Sequence, residues 1–204
     1  MEEKETMKTA DVELVCILDR SGSMSGLEED TIGGYNHFVS EQNKNHSVMV
    51  TTVLFDDKYE VLFDQVDAKE ATLSRNQYYV RGSTALLDAI GKTINLVKDR
   101  VETGKSDKAE TVIFVITTDG MENASTEYTY AGIHSLIKSA EKHYGWKFLF
   151  LAANIDEKKE AAKMGIRLDR AVKYESTKEG TEAMYKSATC MVESMIDDDK
   201  KNKN

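Results

Sequence analysis

Asp19, Ser21 and Ser23 stand at every second position in the stretch "LVCILDRSGSMSG", residues 14–26, directly after an apolar run. A carboxylate followed by two spaced hydroxyls gathers three oxygen donors where a buried-looking strand runs out. Two more polar clusters hold matching positions. "VRGSTALLDAI" sets Thr84 just before a helix that starts near Ala85, and "TVIFVITTDGMEN" sets Asp119 and Gly120 at the end of another apolar run. In open parallel sheets, ligands bind beyond the carboxyl ends of strands, where successive connections leave to opposite sides. Asp19, Ser21, Ser23, Thr84 and Asp119 can therefore converge on one crevice. The set contains two carboxylates and three hydroxyls, with neither Cys nor His. That is donor chemistry for a hard cation, Mg²⁺, Mn²⁺ or Ca²⁺, and a poor set for Zn²⁺. Nearby helix N-termini oppose a cation through their dipoles, so the two carboxylates must outweigh them. An ion with so few anionic ligands stays electrophilic, and an open position on it attracts a carboxylate from outside.

The elements that must position these residues are apolar strands alternating with amphipathic helices. Strands are predicted at 13–18, 48–55, 59–63, 111–117, 147–152 and 171–174, the second and third joined by a tight turn at Asp56-Asp57-Lys58. Helices are predicted at about 26–44, along the stripe Leu87, Ile90, Ile94, Val97 and Val101, and around Ile133, Leu136, Ile137 and Ala140. Two more fall at about 157–164 and 178–196, where Met184, Ala188, Met191 and Met195 share a face that reads as core packing. Ser25-x-x-Glu28 has the spacing of a capping box. Gly33-Gly34 costs about 1 kcal/mol per glycine inside a helix, which points to close packing or an irregularity there. "TVIFVIT" is apolar and β-branched throughout, as a central parallel strand buried on both faces must be. This alternation predicts an α/β domain of three layers, doubly wound, with a mostly parallel six-stranded sheet and one antiparallel edge strand. It is expected over residues 10–196, between a charged N-terminal tail at 1–9 and a polar C-terminal tail at 197–204.

The chain has 204 residues, 40% of them hydrophobic and 31% charged, the balance of a soluble globular protein. No apolar run approaches the roughly 20 residues that cross a bilayer. The start Met1-Glu2-Glu3-Lys4-Glu5 lacks the apolar core of a signal peptide, so a cytoplasmic protein without a membrane partner is expected. The formal net charge of −9 argues against nucleic acid, whose phosphates need clustered Lys and Arg. Cys16 and Cys190 form no CxxC pair and are read as buried free thiols.

"DRSGSM", "GSTALLDAI" and "ITTDGMEN" together resemble the metal-ion-dependent adhesion site of the von Willebrand factor type A (vWA) family. The resemblance covers residues from about 11 to 196, since the order of strands and helices also agrees. It is nearest to small stand-alone intracellular members of bacteria and their phages, including those grouped with tellurite-resistance proteins. The resemblance implies that Ser21 and Ser23 ligate the metal through their hydroxyls. It also implies that Asp19 and Asp119 supply charge directly or through water, and that Thr84 ligates in at least one conformational state. By the same resemblance a Glu or Asp of a partner protein would complete the coordination, and the last helix would shift when the site is filled. Gly82-Ser83-Thr84-Ala85 departs from the family pattern, where many members have a second Gly and a Pro; the ligand Thr is kept.

Other chemistries fit less well. An EF-hand over residues 19–30 fails because Met24 takes the position of the turn glycine and a strand precedes it. A Mg²⁺-dependent hydrolase lacks a phosphate loop, since Gly91-Lys92-Thr93 falls in mid-helix without upstream glycines. His37, His46, His134 and His143 form no evident base–nucleophile set. A protein-binding module rather than an enzyme is expected, with a scaffold of weak or no functional metal as the alternative. Glu122 and Asn123 read either as supports of the site or as exposed loop residues. Asp88 reads as a support of the Thr84 loop or as a solvated helix position, and Asp56 and Asp57 as turn formers.

Overall fold

The computed structural model describes residues 10–105 and 109–203; the charged tail expected at 1–9 and Asn204 lie outside the described residues. At the centre of the sheet β1 (Ala10–Asp19) runs parallel to β2 (Val48–Phe55) on one side. The hairpin strand β3 (Tyr59–Asp67) closes that edge, antiparallel to β2. On the other side β4 (Ala109–Thr118), β5 (Lys147–Ala152) and β6 (Ala171–Lys173) follow in parallel, giving the order β3-β2-β1-β4-β5-β6. This is the expected doubly wound sheet with its antiparallel edge.

Side chains alternate across a strand, and here both faces of β1 are covered. Val12, Leu14, Cys16 and Leu18 share a core with Tyr35 and Phe38 of α1 (Glu28–Asn45) and Met184 and Tyr185 of α5 (Lys178–Lys203). Val15 and Ile17 share the opposite core with Leu87 and Ile90 of α2 (Leu86–Glu102), Ile133 of α3 (Tyr130–Tyr144) and Met164 of α4 (Glu157–Met164). Burial on both faces is why β1 over 14–18 and β4 over 112–116 read as unbroken apolar runs. The chain leaves β1 through α1 on one face and returns to β4 through α2 on the other. A crevice opens between the carboxyl ends of those two strands. A Cβ added at Gly34 would lie 2.1 Å from the Tyr185 ring, so this glycine lets α1 and α5 approach, whereas Gly33 meets nothing.

Several local expectations change. The capping box does not form: Leu27 is the N-cap of α1, and Glu28 Oε2 accepts from Gly26 N–H at 2.9 Å. Ser25 is used instead to close a 3₁₀ turn at Gly22–Met24, which delays the helix. Val101 is 38% exposed, and the last buried position of α2 is Arg100, whose guanidinium turns inward to the buried Glu13 and to Asp64. β3 runs past residue 63 to Asp67 across a break in register, with Gln65 at φ 52°. Residues from 197 continue α5 to Lys203 instead of forming a polar tail, because Asp199 pairs with Lys147 and accepts from Thr111 Oγ1 at 2.8 Å. Both thiols are free, but only Cys16 is buried; Cys190 is exposed. No helix among the described residues is long and apolar enough to cross a membrane.

Candidate functional site

The crevice brings the three predicted segments together. Asp19, at the end of β1, is buried; its Oδ1 accepts from Ser21 N–H at 2.7 Å and its Oδ2 from Thr118 Oγ1 at 2.6 Å. Thr84 Oγ1 donates to Ser21 Oγ at 2.9 Å, and Ser21 Oγ and Ser23 Oγ lie 3.1 Å apart. Gly120 closes the cluster from the β4 side, where an added Cβ would sit 2.9 Å from Ser23 Oγ and 3.3 Å from Thr84 Oγ1. Asp119 is buried as well; its Oδ2 accepts from Ser176 Oγ at 3.1 Å, while its Oδ1 has no hydrogen-bond partner. Burial pushes the Asp19 carboxyl up to about 6; hydrogen bonds from Thr118 and Ser21 work against this, and the nearby Asp119 adds to it.

The loops are held by residues the sequence leaves open. Asn123 Oδ1 accepts from Thr84 N–H at 2.9 Å, and Asn123 N–H returns a bond to Thr84 O at 3.0 Å. Glu122 Oε2 accepts from Leu87 N–H at 2.9 Å, satisfying one of the free amides that open α2. Both residues therefore support the Thr84 loop. Asp88 accepts from the N–H groups of Thr126, Glu127 and Tyr128, so it braces the segment after β4 rather than Thr84. Asp56 is more than a turn former. It is buried, and its Oδ2 accepts from Arg20 Nε at 2.9 Å and Arg81 Nε at 2.7 Å. Arg81 N–H donates to Arg20 O, Gly22 N–H to Gly82 O, and Ala85 N–H to Asp56 O. These bonds tie the Thr84 loop to the Asp19 loop. Gly82 sits at φ +68°, with Asp57 against its open side, so no side chain fits there.

Sequence reasoning missed four contributors. Thr118 has a signal, since it directly precedes Asp119 on an apolar strand. Tyr78, whose hydroxyl donates to Asp19 O at 2.6 Å, has none, and Arg20 has none beyond its place next to Asp19. Ser176 comes from 57 positions beyond Asp119, on the approach to α5. Among the described residues no three His, Cys, Asp or Glu side chains gather as a metal cluster. The site instead combines two carboxylates with hydroxyls, and one buried carboxylate oxygen lacks a partner. This all-oxygen donor set fits a small hard cation.

No protein-family model and no curated protein sequence matches the chain. Solved structures do. The PilB minor pilin from Streptococcus sanguinis aligns with a TM-score of 0.65 at 11% identity, over 95% of this chain and 63% of the pilin. The vWF domain of the type V pili tip protein Mfa5 from Porphyromonas gingivalis gives 0.64 at 12% identity, over 93% of this chain and 97% of that one. A von Willebrand factor type A structure from Catenulispora acidiphila gives 0.60 at 16% identity, over 89% of this chain and 42% of that one.

The fold is vWA-like. At these identities the likeness is one of fold. This vWA-like chain spans 47% of proximal thread matrix protein 1 from the mussel byssus and 63% of the pilin, so both carry further sequence without a counterpart here.

Proposed function

We propose that this vWA-like protein binds a divalent cation, Mg²⁺ or else Mn²⁺ or Ca²⁺, at Asp19, Ser21, Ser23, Thr84 and Asp119. Through that ion it captures an Asp or Glu side chain of a partner protein. The observation that carries this reading is Asp119 Oδ1, buried without a partner on the residue before Gly120, which abuts the hydroxyls of Ser23 and Thr84, themselves linked through Ser21. An unpaired buried carboxylate oxygen is costly, and a second carboxylate beside it raises the cost, as Asp19 registers. A cation relieves both. The hydroxyls of Ser21, Ser23 and Thr84 and the free oxygen of Asp119 would hold it. Asp19, already oriented by Ser21 N–H and Thr118, supplies charge. When bound, the ion supplies an electrophilic position for an external carboxylate oxygen. Ser23, Gly82 and Ser83 are exposed, which leaves the cluster open to a protein surface.

The role is binding rather than turnover. A cytoplasmic setting and kinship with the small stand-alone, tellurite-resistance-like type belong to the same proposal. The exposed free thiol of Cys190 supports a reducing compartment. The test is retention of a glutamate-bearing peptide on immobilised protein. Retention in Mg²⁺, lost in EDTA and restored by Mg²⁺, is expected. Equal retention in EDTA contradicts metal dependence and leaves a metal-free docking domain.

A further inference from the structure

An open trough of about 950 Å³ lies beside the site, along the carboxyl ends of β5 and β6 and the segment leading into α5. Two of its lining residues hold Asp119. Asn154, on its wall, donates from Nδ2 to Asp119 O at 3.4 Å, and Ser176, also on its wall, donates to Asp119 Oδ2 at 3.1 Å. A segment anchored at the cluster that runs toward β5 and β6, at about 3.3 Å per extended residue, heads into this trough. The walls carry three carboxylates, Asp156, Glu157 and Glu175, against the single ammonium of Lys173. On the other flank of the site the two guanidiniums are already matched, with Arg20 and Arg81 both on Asp56 and Arg20 also 2.8 Å from Glu60.

Resting on the carboxylate-capture reading, we infer that the partner segment carries Lys or Arg beside its captured Asp or Glu and lays them in this trough. Two charge requirements meet within one short segment. The cation needs an anion, and the acidic wall beside it needs cations. A uniformly acidic segment satisfies the first and is repelled by the second, on a chain whose net charge is already −9. A segment of alternating sign satisfies both, and the order of signs fixes its placement.

The test uses fluorescein-labelled peptides and fluorescence anisotropy in Mg²⁺. One peptide has a central Glu flanked by two Lys on each side, the second has Ser in place of Lys, and the third has Gln in place of Glu. The Lys-flanked Glu peptide is expected to bind about tenfold more tightly than the Ser-flanked one. The difference should fall to about twofold or less in the triple variant Asp156→Asn, Glu157→Gln, Glu175→Gln. It should persist in a charge-matched control, Glu70→Gln, Asp99→Asn, Glu102→Gln, at the opposite end of the sheet. Equal Mg²⁺-dependent binding of the Lys- and Ser-flanked peptides overturns the inference and leaves carboxylate capture standing. Equal binding of the Gln peptide, unaffected by EDTA, overturns both, because the trough then acts without the ion. Absence of binding by every peptide also overturns both.

Discussion

Removal of the Asp56 carboxylate is the sharpest test of how the two loops of the site are held together. Arg20 is fully buried, and Asp56 receives its Nε at 2.9 Å, Arg81 Nε at 2.7 Å and Lys58 N–H at 2.7 Å. Breaking a buried ion pair from one side costs about 3–5 kcal/mol, since the other charge is left unmatched. Glu60 stays within 2.8 Å of Arg20 on the solvent side and half compensates, which places Asp56→Ala near the lower end, about 3 kcal/mol. For a chain of this size that corresponds to a fall in Tm of about 6–12 °C. Trp146, the sole tryptophan, is 4% exposed and lies 4.7 Å from the Tyr144 ring and 5.3 Å from the Phe114 ring, so its fluorescence reports unfolding in urea. Burial alone would push the Asp56 carboxyl up, but hydrogen bonds from Arg81, Lys58 N–H and Arg20 outweigh it and hold it below the ordinary value of 3.8. The stability it contributes is therefore complete above about pH 4 and lost as pH falls through the folded-state value. The gap between wild type and Asp56→Ala should be widest near neutral pH and should narrow below about pH 4. A loss under 1 kcal/mol, or a gap that ignores pH, would refute the reasoning.

Three further outcomes are expected. Gly120→Ala places a Cβ 2.9 Å from Ser23 Oγ and 3.3 Å from Thr84 Oγ1; thermal melts should move by no more than a few degrees, about 1 kcal/mol, while Mn²⁺ affinity in calorimetry drops about tenfold or more. Asp88→Ala strips the acceptor from three backbone N–H groups, and urea unfolding should show a loss of about 3 kcal/mol, roughly 1 kcal/mol for each. With a thiol-reactive disulfide reagent, exposed Cys190 should react in the native protein, whereas Cys16, whose thiol burial pushes up to about 12, should react only after denaturation.

The positions of Asp19, Ser21, Ser23, Thr84 and Asp119 were legible because each sits at a boundary the sequence announces, a strand end or a helix start. The sheet was legible for a related reason, since two-sided burial writes 14–18 of β1, 112–116 of β4 and 148–152 of β5 as unbroken apolar runs. What stayed hidden depends on contacts between segments far apart in the chain. Arg20 carries a charge next to the predicted site, and only the β2–β3 hairpin, which brings Asp56 beneath it, explains why that charge is buried. Ser176 has no periodic pattern around it, and its hydrogen bond to Asp119 exists only because β6 pairs with β5, which in turn pairs with β4. The last turns of α5 are polar all round and read as a tail. Their helix is held by Asp199 against Lys147 and Thr111, a contact set by tertiary packing rather than by amphipathic period.

The central claim is that the cluster at Asp19, Ser21, Ser23, Thr84 and Asp119 holds a divalent ion. Calorimetric titration of Mg²⁺ and Mn²⁺ into metal-free protein, beside Asp19→Ala and Asp119→Ala shown to be folded by circular dichroism, tests it most directly. Saturable binding of about one ion per chain, abolished in both variants, is the predicted result. Absence of binding by the folded wild type, even with a glutamate-bearing peptide present in excess, would contradict it.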